Sequence, residues 1–422
     1  MVEFFQYLLT GICVLIVVWG MIKVERIYQF PFFMASMVIA FILPQVSALI
    51  NNPGAATQNM IVQGLIMACL CTSMCWVGYN FPPNRKLLYK LQIPLDNRKL
   101  LQVGIFLTAI GWIFSIFTGQ AASTLEAGKQ WTGPATIFAF FSQVIYLGFA
   151  ILLIQLLNKP SIINITGTII AGLPIVQTVL AGRRQPTMTF LIIIGVSFWF
   201  KFKLTPPRWL IIIAIIAGLY IIPLVGSLRG GFWNLIFQQD WETLKTSAEL
   251  SFDQLQKGGT LELRNAVLVI DAATVSGKYE YGAGYWNAFV FQYFPGQIFG
   301  FDLKQSLQFD LQRQQNLSQY GYAFPVGTTW TGIGDSYLQF SYFGALLFAL
   351  MASFFKTLWI ASYQQKSLFA TLLMISLISP AMVAITHGTE RFIQEFIFQI
   401  IVINLVSYYC GIKLKRPVIV DY

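Results

Sequence analysis

Apolar residues fill this chain in long blocks, and the breaks between blocks are short and polar. A block of about 18 residues or more crosses a hydrocarbon core of about 30 Å as a helix. The pattern predicts eleven spans, at roughly 4–22, 28–50, 60–79, 101–118, 135–157, 161–182, 187–200, 209–226, 338–361, 368–387 and 394–412. Backbone groups in hydrocarbon must satisfy one another, so the expected fold class is an all-α integral membrane protein. The spacing divides the chain into eight spans over 1–226, one long extramembrane loop over 227–337, and three spans with a tail over 338–422. No internal repeat is visible, and "MVEFFQYLLTG" lacks the basic start of a cleavable signal peptide.

Composition agrees. The chain is 56% hydrophobic and only 10% charged, against about 25% charged for a soluble domain. Its net charge of +10 does not imply nucleic acid, because the charges flank spans and suit membrane lipids instead. Alternate connections hold Lys23, Arg26, Arg85, Lys86, Lys90, Arg98, Lys99, Lys159, Lys201, Lys203, Arg208, Lys366, Lys413, Lys415 and Arg416, with only Glu25, Asp96 and Asp421 as acids. By the positive-inside rule that side is cytoplasmic, which puts the N-terminus outside and the C-terminus inside. The five cysteines all lie in apolar runs and read as packing residues. His387 is the one histidine, so multi-histidine metal chemistry is excluded, and neither metal nor cofactor is expected.

Against this background "VQTVLAGRRQPTMTFLIII" is unusual. Arg183 and Arg184 fall in an outer turn with no acid near them in sequence. The apolar run that follows, Met188 to Phe200, covers only about 20 Å as a helix, which would pull the arginines below the outer surface. They then either serve a water-filled anion site or snorkel to lipid phosphates.

The long loop opens with an amphipathic, helical stretch and continues with helical periodicity after Thr260, placing Arg264, Leu268 and Asp271 on one face. "YEYGAGYWNAFVFQYFPGQIFGF" follows, too broken to span. Its rings, including Tyr285, Trp286 and Tyr293, suit the headgroup zone or the faces of sugars, as does Trp330 further on. In "GTTWTGIGDSYLQFSYFG", Gly332, Gly334 and Gly344 permit close backbone approach. Asp335 stands at the mouth of the ninth span, as a cap of that helix or as an acid–base group. The last outer turn, "ITHGTERFIQEF", gathers His387, Glu390, Arg391 and Glu395, where i,i+4 spacing would align His387 with Arg391 and Arg391 with Glu395. That turn is either an ion-paired cap or part of a site.

No phosphate-binding loop, dinucleotide fingerprint or hydrolase signature is present. An enzyme working from the outer face lacks nucleotide sugars and ATP, so its substrate must carry its own energy. A lipid-linked diphosphate sugar does. Guanidinium groups stabilise the departing lipid diphosphate without a metal, and a carboxylate or imidazole takes the proton of the attacking hydroxyl.

The architecture resembles the Wzy-type O-antigen and exopolysaccharide repeat-unit polymerases, with "GRRQPTMTFLI" and "GDSYLQFSYFGALLFAL" as the local points of similarity. The resemblance implies polymerisation of undecaprenyl-diphosphate-linked oligosaccharides at the outer face of the bacterial plasma membrane, beside a flippase and a chain-length regulator. It marks Arg183 and Arg184 as diphosphate ligands. The full expectation is an anion-binding ring of Arg183, Arg184, Arg229, Arg264 and Arg391, with Asp335, Glu390 or His387 as base. A transporter or flippase, an O-antigen-ligase-type transferase and a non-catalytic export subunit are the alternatives.

Overall fold

In a computed structural model, the chain is helical throughout. The structure describes residues 1–123, 134–228, 231–256, 261–311, 317, 319–323, 325 and 328–412. The long helices are α1 (Val2–Ile22), α2 (Phe30–Asn51), α3 (Gln58–Asn80), α4 (Asn97–Ser123), α5 (Pro134–Asn158), α6 (Ile162–Leu180), α7 (Arg184–Phe202) and α8 (Arg208–Ser227). They continue with α9 (Trp241–Gln256), α10 (Glu262–Ser276), α11 (Ala283–Tyr293), α12 (Thr331–Phe340), α13 (Ala345–Tyr363), α14 (Leu368–His387) and α15 (Thr389–Cys410). Among the described residues there is no strand, and the sole ladder contact is an isolated bridge between Leu95 and Gly411.

Among the described residues, ten helices are long and apolar enough to cross a membrane, with α12 and α13 counted as one broken element. The chain is therefore a multi-pass membrane protein. The eighth expected span corresponds to α8, whose described apolar part, Arg208–Leu219, is shorter. The seventh is longer than the apolar run predicts. Thr187 and Thr189 return their hydroxyls to the carbonyls of Arg183 and Gln185 (2.8 and 2.9 Å), so the polar residues before Met188 stay helical. Its 19 residues cover about 28 Å, close to the hydrocarbon thickness, so the length of this helix does not pull the arginines below the outer surface.

The ninth span also differs. Its helix begins at Thr331, not near 338, and breaks at Ser341 (φ +53) before α13 starts. Three glycines let α12 wedge in. A Cβ on Gly332 would stand 2.0 Å from the Ala384 carbonyl oxygen of α14, on Gly334 2.9 Å from Ala266 of α10, and on Gly344 1.9 Å from the Ser336 carbonyl. The predicted close approach is present at all three.

The segment between α8 and α12 does not fold apart from the spans. In α10, Leu263, Val267, Leu268, Ile270 and Ala273 belong to the main hydrophobic core. Polar side chains on the spans hold this helix. Gln45 accepts from the Leu263 N–H (2.9 Å), one of the donors a helix start leaves unpaired. Gln63 donates to Thr274 and to the Tyr337 hydroxyl (2.8 and 2.9 Å), tying α3, α10 and α12 at one point. The aromatic stretch is broken as expected, into α11 and the short helices Gly296–Phe299 and Phe301–Ser306. All five cysteines are buried and free.

Glycine-dependent wedging of α12 is testable. Gly332→Ala is expected to destabilise the detergent-solubilised protein by about 1–3 kcal/mol through overpacking. Gly195→Ala, where nothing lies within 4 Å, should be neutral or stabilising by up to about 1 kcal/mol. Equal thermal unfolding of the two variants would remove the wedge from the account.

Candidate functional site

The polar chemistry converges on the first two turns of α15. Between α14 and α15 the chain turns at Gly388, whose φ of +135° only glycine adopts comfortably. Gly388 has no side chain with which to cap α15, and Thr389 is buried. The cap comes from another helix. Asp335 of α12, 0% exposed, accepts at one oxygen from the Thr389 hydroxyl (2.5 Å) and from the Glu390 N–H (2.9 Å). This corrects the expectation for Asp335: it lies inside the protein, not at an open lip, and it caps α15 instead of its own helix.

Tyr285 of α11 extends the chain of bonds. Its hydroxyl is 2.8 Å from Thr389 Oγ1. Because Thr389 gives its only proton to Asp335, Tyr285 is the donor in that contact. Burial, and then the negative charges of Asp335, Glu390 and Glu280, push the Tyr285 hydroxyl far above the ordinary tyrosine range, while its bond to Thr389 pulls the other way. Three carboxylates therefore gather about one phenol.

Glu280 is a member that sequence reasoning missed. It accepts from Gln339 Nε2 (2.5 Å), one helical turn beyond Asp335 on α12. The turn at 280–282 runs along the end of α12, with Glu280, Tyr281 and Gly282 N–H groups bonded to the Leu338 carbonyl, the Gln339 carbonyl and Gln339 Oε1. The only available signal was a lone acid opening the aromatic stretch.

On the other side of α15 stands the basic part. Arg391 pairs with Glu395 (3.1 Å), as the i,i+4 spacing predicts. Gly388 interrupts the helix between His387 and Arg391, so helical spacing does not align that pair. His387 is exposed, with Nδ1 2.7 Å from Thr386 Oγ1. Glu395 is 2% exposed. With its amide nitrogen turned towards Glu395, Gln143 of α5 donates to both carboxylate oxygens (2.7 and 3.1 Å). Tyr146, one turn further along α5, interacts electrostatically with both Glu395 and Arg183. Arg183, exposed at the start of α7, and Glu395 thus act on the same phenol.

Of the rest of the expected ring, Arg264 is placed elsewhere. Arg264 is 6% exposed and donates to the Asn52 carbonyl (2.6 Å), with the Gly54 backbone against its guanidinium. It clamps the turn between α2 and α3 onto α10. Arg229 and the side chain of Arg184 lie outside the described residues. Of the four aromatic platforms, Trp286 is 43% exposed, while Tyr285, Tyr293 and Trp330 are partly covered. The Tyr293 hydroxyl bonds the Gln394 carbonyl (2.8 Å) and Gln394 returns a bond to Ala288 (2.7 Å), so α11 is fastened to α15. No family model matches this chain, and neither does any curated protein or solved structure.

If Asp335 serves as the cap of α15, an acceptor oxygen matters more than a charge. Asp335→Ala should cost about 1–3 kcal/mol by stranding buried donors. Asp335→Asn should retain most of that stability, since asparagine caps about as well as aspartate. Thermal unfolding of both variants in detergent checks this, and an Asn variant as unstable as the Ala variant would rule the cap out.

Proposed function

We propose that this chain is a membrane glycosyltransferase that polymerises undecaprenyl-diphosphate-linked oligosaccharide repeat units at the outer face of the plasma membrane. The observation that carries the reading is the meeting, on the first two turns of α15, of buried and partly buried carboxylates (Asp335 against Thr389 and the Glu390 N–H, with Glu280 bonded to Gln339 one turn along α12) and the guanidinium of Arg391. Both halves of the expected chemistry need such groups side by side. The orientation follows from the basic connections, with α8 as the eleventh span, the N-terminus outside and the C-terminus in the cytoplasm.

In the proposed reaction the acceptor sugar hydroxyl attacks the anomeric carbon of the donor. The bond from that carbon to the phosphate oxygen breaks, and the lipid diphosphate leaves with the bonding pair. Arg183 and Arg391 stabilise the charge that grows on the leaving group. Glu390, partly exposed beside the cap, takes the proton of the hydroxyl. Asp335 is committed to Thr389 and the Glu390 N–H, so it sets the position of Glu390 and leaves the proton transfer to it. Trp286 is the one exposed ring of the four expected platforms and the one suited to stack on a sugar.

Purified protein given a lipid-diphosphate-linked oligosaccharide should form a polymer ladder without added nucleotide. Arg183→Ala and Arg391→Ala should abolish the ladder, and Glu390→Gln should slow it by about 10²–10⁴ at unchanged thermal stability. Full turnover by all three variants would defeat the enzymatic reading. Orientation has its own check. A cysteine at exposed Ala55 should react with an impermeant thiol reagent in intact cells, and one at exposed Asn97 should not, the native thiols being buried. Labelling at Asn97 alone would invert the topology.

A further inference from the structure

We propose that Glu395 is a resident counter-ion of Arg391: its carboxylate occupies that guanidinium between substrates, and a diphosphate must displace it to bind. This rests on the reading of Arg183 and Arg391 as diphosphate ligands. Glu395 is not among the residues the sequence marks for chemistry, yet it is the most enclosed charge on this side of α15. It lies on the second turn of that helix, 2% exposed, held by Arg391 Nη2 at 3.1 Å and by Gln143 at both oxygens.

Two tyrosines connect the set. Tyr146 interacts with Arg183 and Glu395, and Tyr293 with Glu395 and Arg391. The Arg391 side chain is 34% exposed, whereas that of Glu395 is 3% exposed. The guanidinium thus bridges a buried anion and an accessible side. Its Nη1 and Nη2 already bond Gln394 (3.4 Å) and Glu395.

A guanidinium presents five donors in one plane. It could hold a diphosphate while keeping Glu395 only by bringing two anions to the same fork. Like charges so close repel strongly where the effective dielectric is low. Displacement relieves the repulsion, and the gain from two phosphates offsets the lost pair. Until then the buried Glu395 and the partly buried Arg391 each supply the other's counter-charge.

The test is isothermal titration of the full-length protein in detergent with two probes, farnesyl diphosphate and inorganic pyrophosphate. The lipid probe stands for a membrane-borne ligand and the inorganic one for a free phosphate. Glu395→Gln keeps the shape and one acceptor oxygen but removes the competing charge, so it should bind at least about fivefold tighter than wild type. Gln143→Leu leaves the charge and loosens its hold, so it should give a smaller gain in the same direction. This second variant decides the matter if Glu395→Gln fails to fold. Tightening with farnesyl diphosphate alone assigns the site to a lipid-linked ligand, and tightening with both probes assigns it to the diphosphate itself. Unchanged or weaker affinity in the variants, with wild type binding normally, overturns the counter-ion and leaves the diphosphate site standing. Binding by none of the three proteins overturns both.

Discussion

Helix α15 starts at a buried residue, Thr389, and its capping position is a glycine. A helix start left in that condition is costly, since each unmet buried donor costs about 1–3 kcal/mol. Asp335 removes the problem from a distance, and much of the site depends on how it gets there. Its helix, α12, approaches α14 closely enough to do so because Gly332 presents no Cβ to the Ala384 carbonyl. It ends at Ser341, and the chain doubles back so that Gly344 lies against Ser336. A continuous span from Thr331 to Tyr363 would have carried the carboxylate past the helix it caps.

The same economy governs α10. Buried on nearly every face, it cannot be held by hydrophobic contact alone in a bundle whose surroundings are equally apolar. Association of helices in such surroundings relies on close packing and on polar contacts between helices. Gln45, Gln63 and Arg264 provide those contacts, at the start, the end and the flank of the helix. Each is worth about 0.5–1.5 kcal/mol net. Their main effect is to allow one rotation of α10, which in turn sets where Gly334 and Asp335 of α12 can lie. The buried arginine belongs to this scaffold, which explains why it is absent from the cluster at α15.

Local pattern made the spans legible, because an apolar block of sufficient length has few alternatives to a crossing helix. The pairing of Arg391 with Glu395 was legible for the same reason, resting on helical spacing within one element. What could not be read was contact between elements distant in sequence. Asp335 and Glu390 are joined by a turn, a break and two helices, and no periodicity encodes the bond between them. The i,i+4 rule also misled at His387, since it assumes a continuous helix and Gly388 ends that continuity. Arg264 looked like its neighbours in charge alone. Only its burial against Asn52 distinguishes a clamp from a ligand. Glu280 was invisible because its partner, Gln339, is an uncharged residue beyond the aromatic stretch.

The two signs of charge about α15 stay separate although they lie on consecutive residues. Glu390 and Arg391 point about 100° apart on a helix, so one turn presents an acid to the Tyr285 side and a base to the α5 side. The helix start itself favours negative charge, through N–H groups that carry roughly half a positive charge between them. Asp335 meets the Glu390 N–H at that start, while on the α5 side Arg391 answers to Glu395. On the proposed reaction this division is functional. A base adjoining an arginine would be held too firmly as an anion to accept a proton readily, and an arginine spent on the base would be lost to the leaving diphosphate. By capping α15, Asp335 keeps the helix start in place between the two, so the same residue that satisfies a folding constraint also maintains the separation on which the chemistry depends.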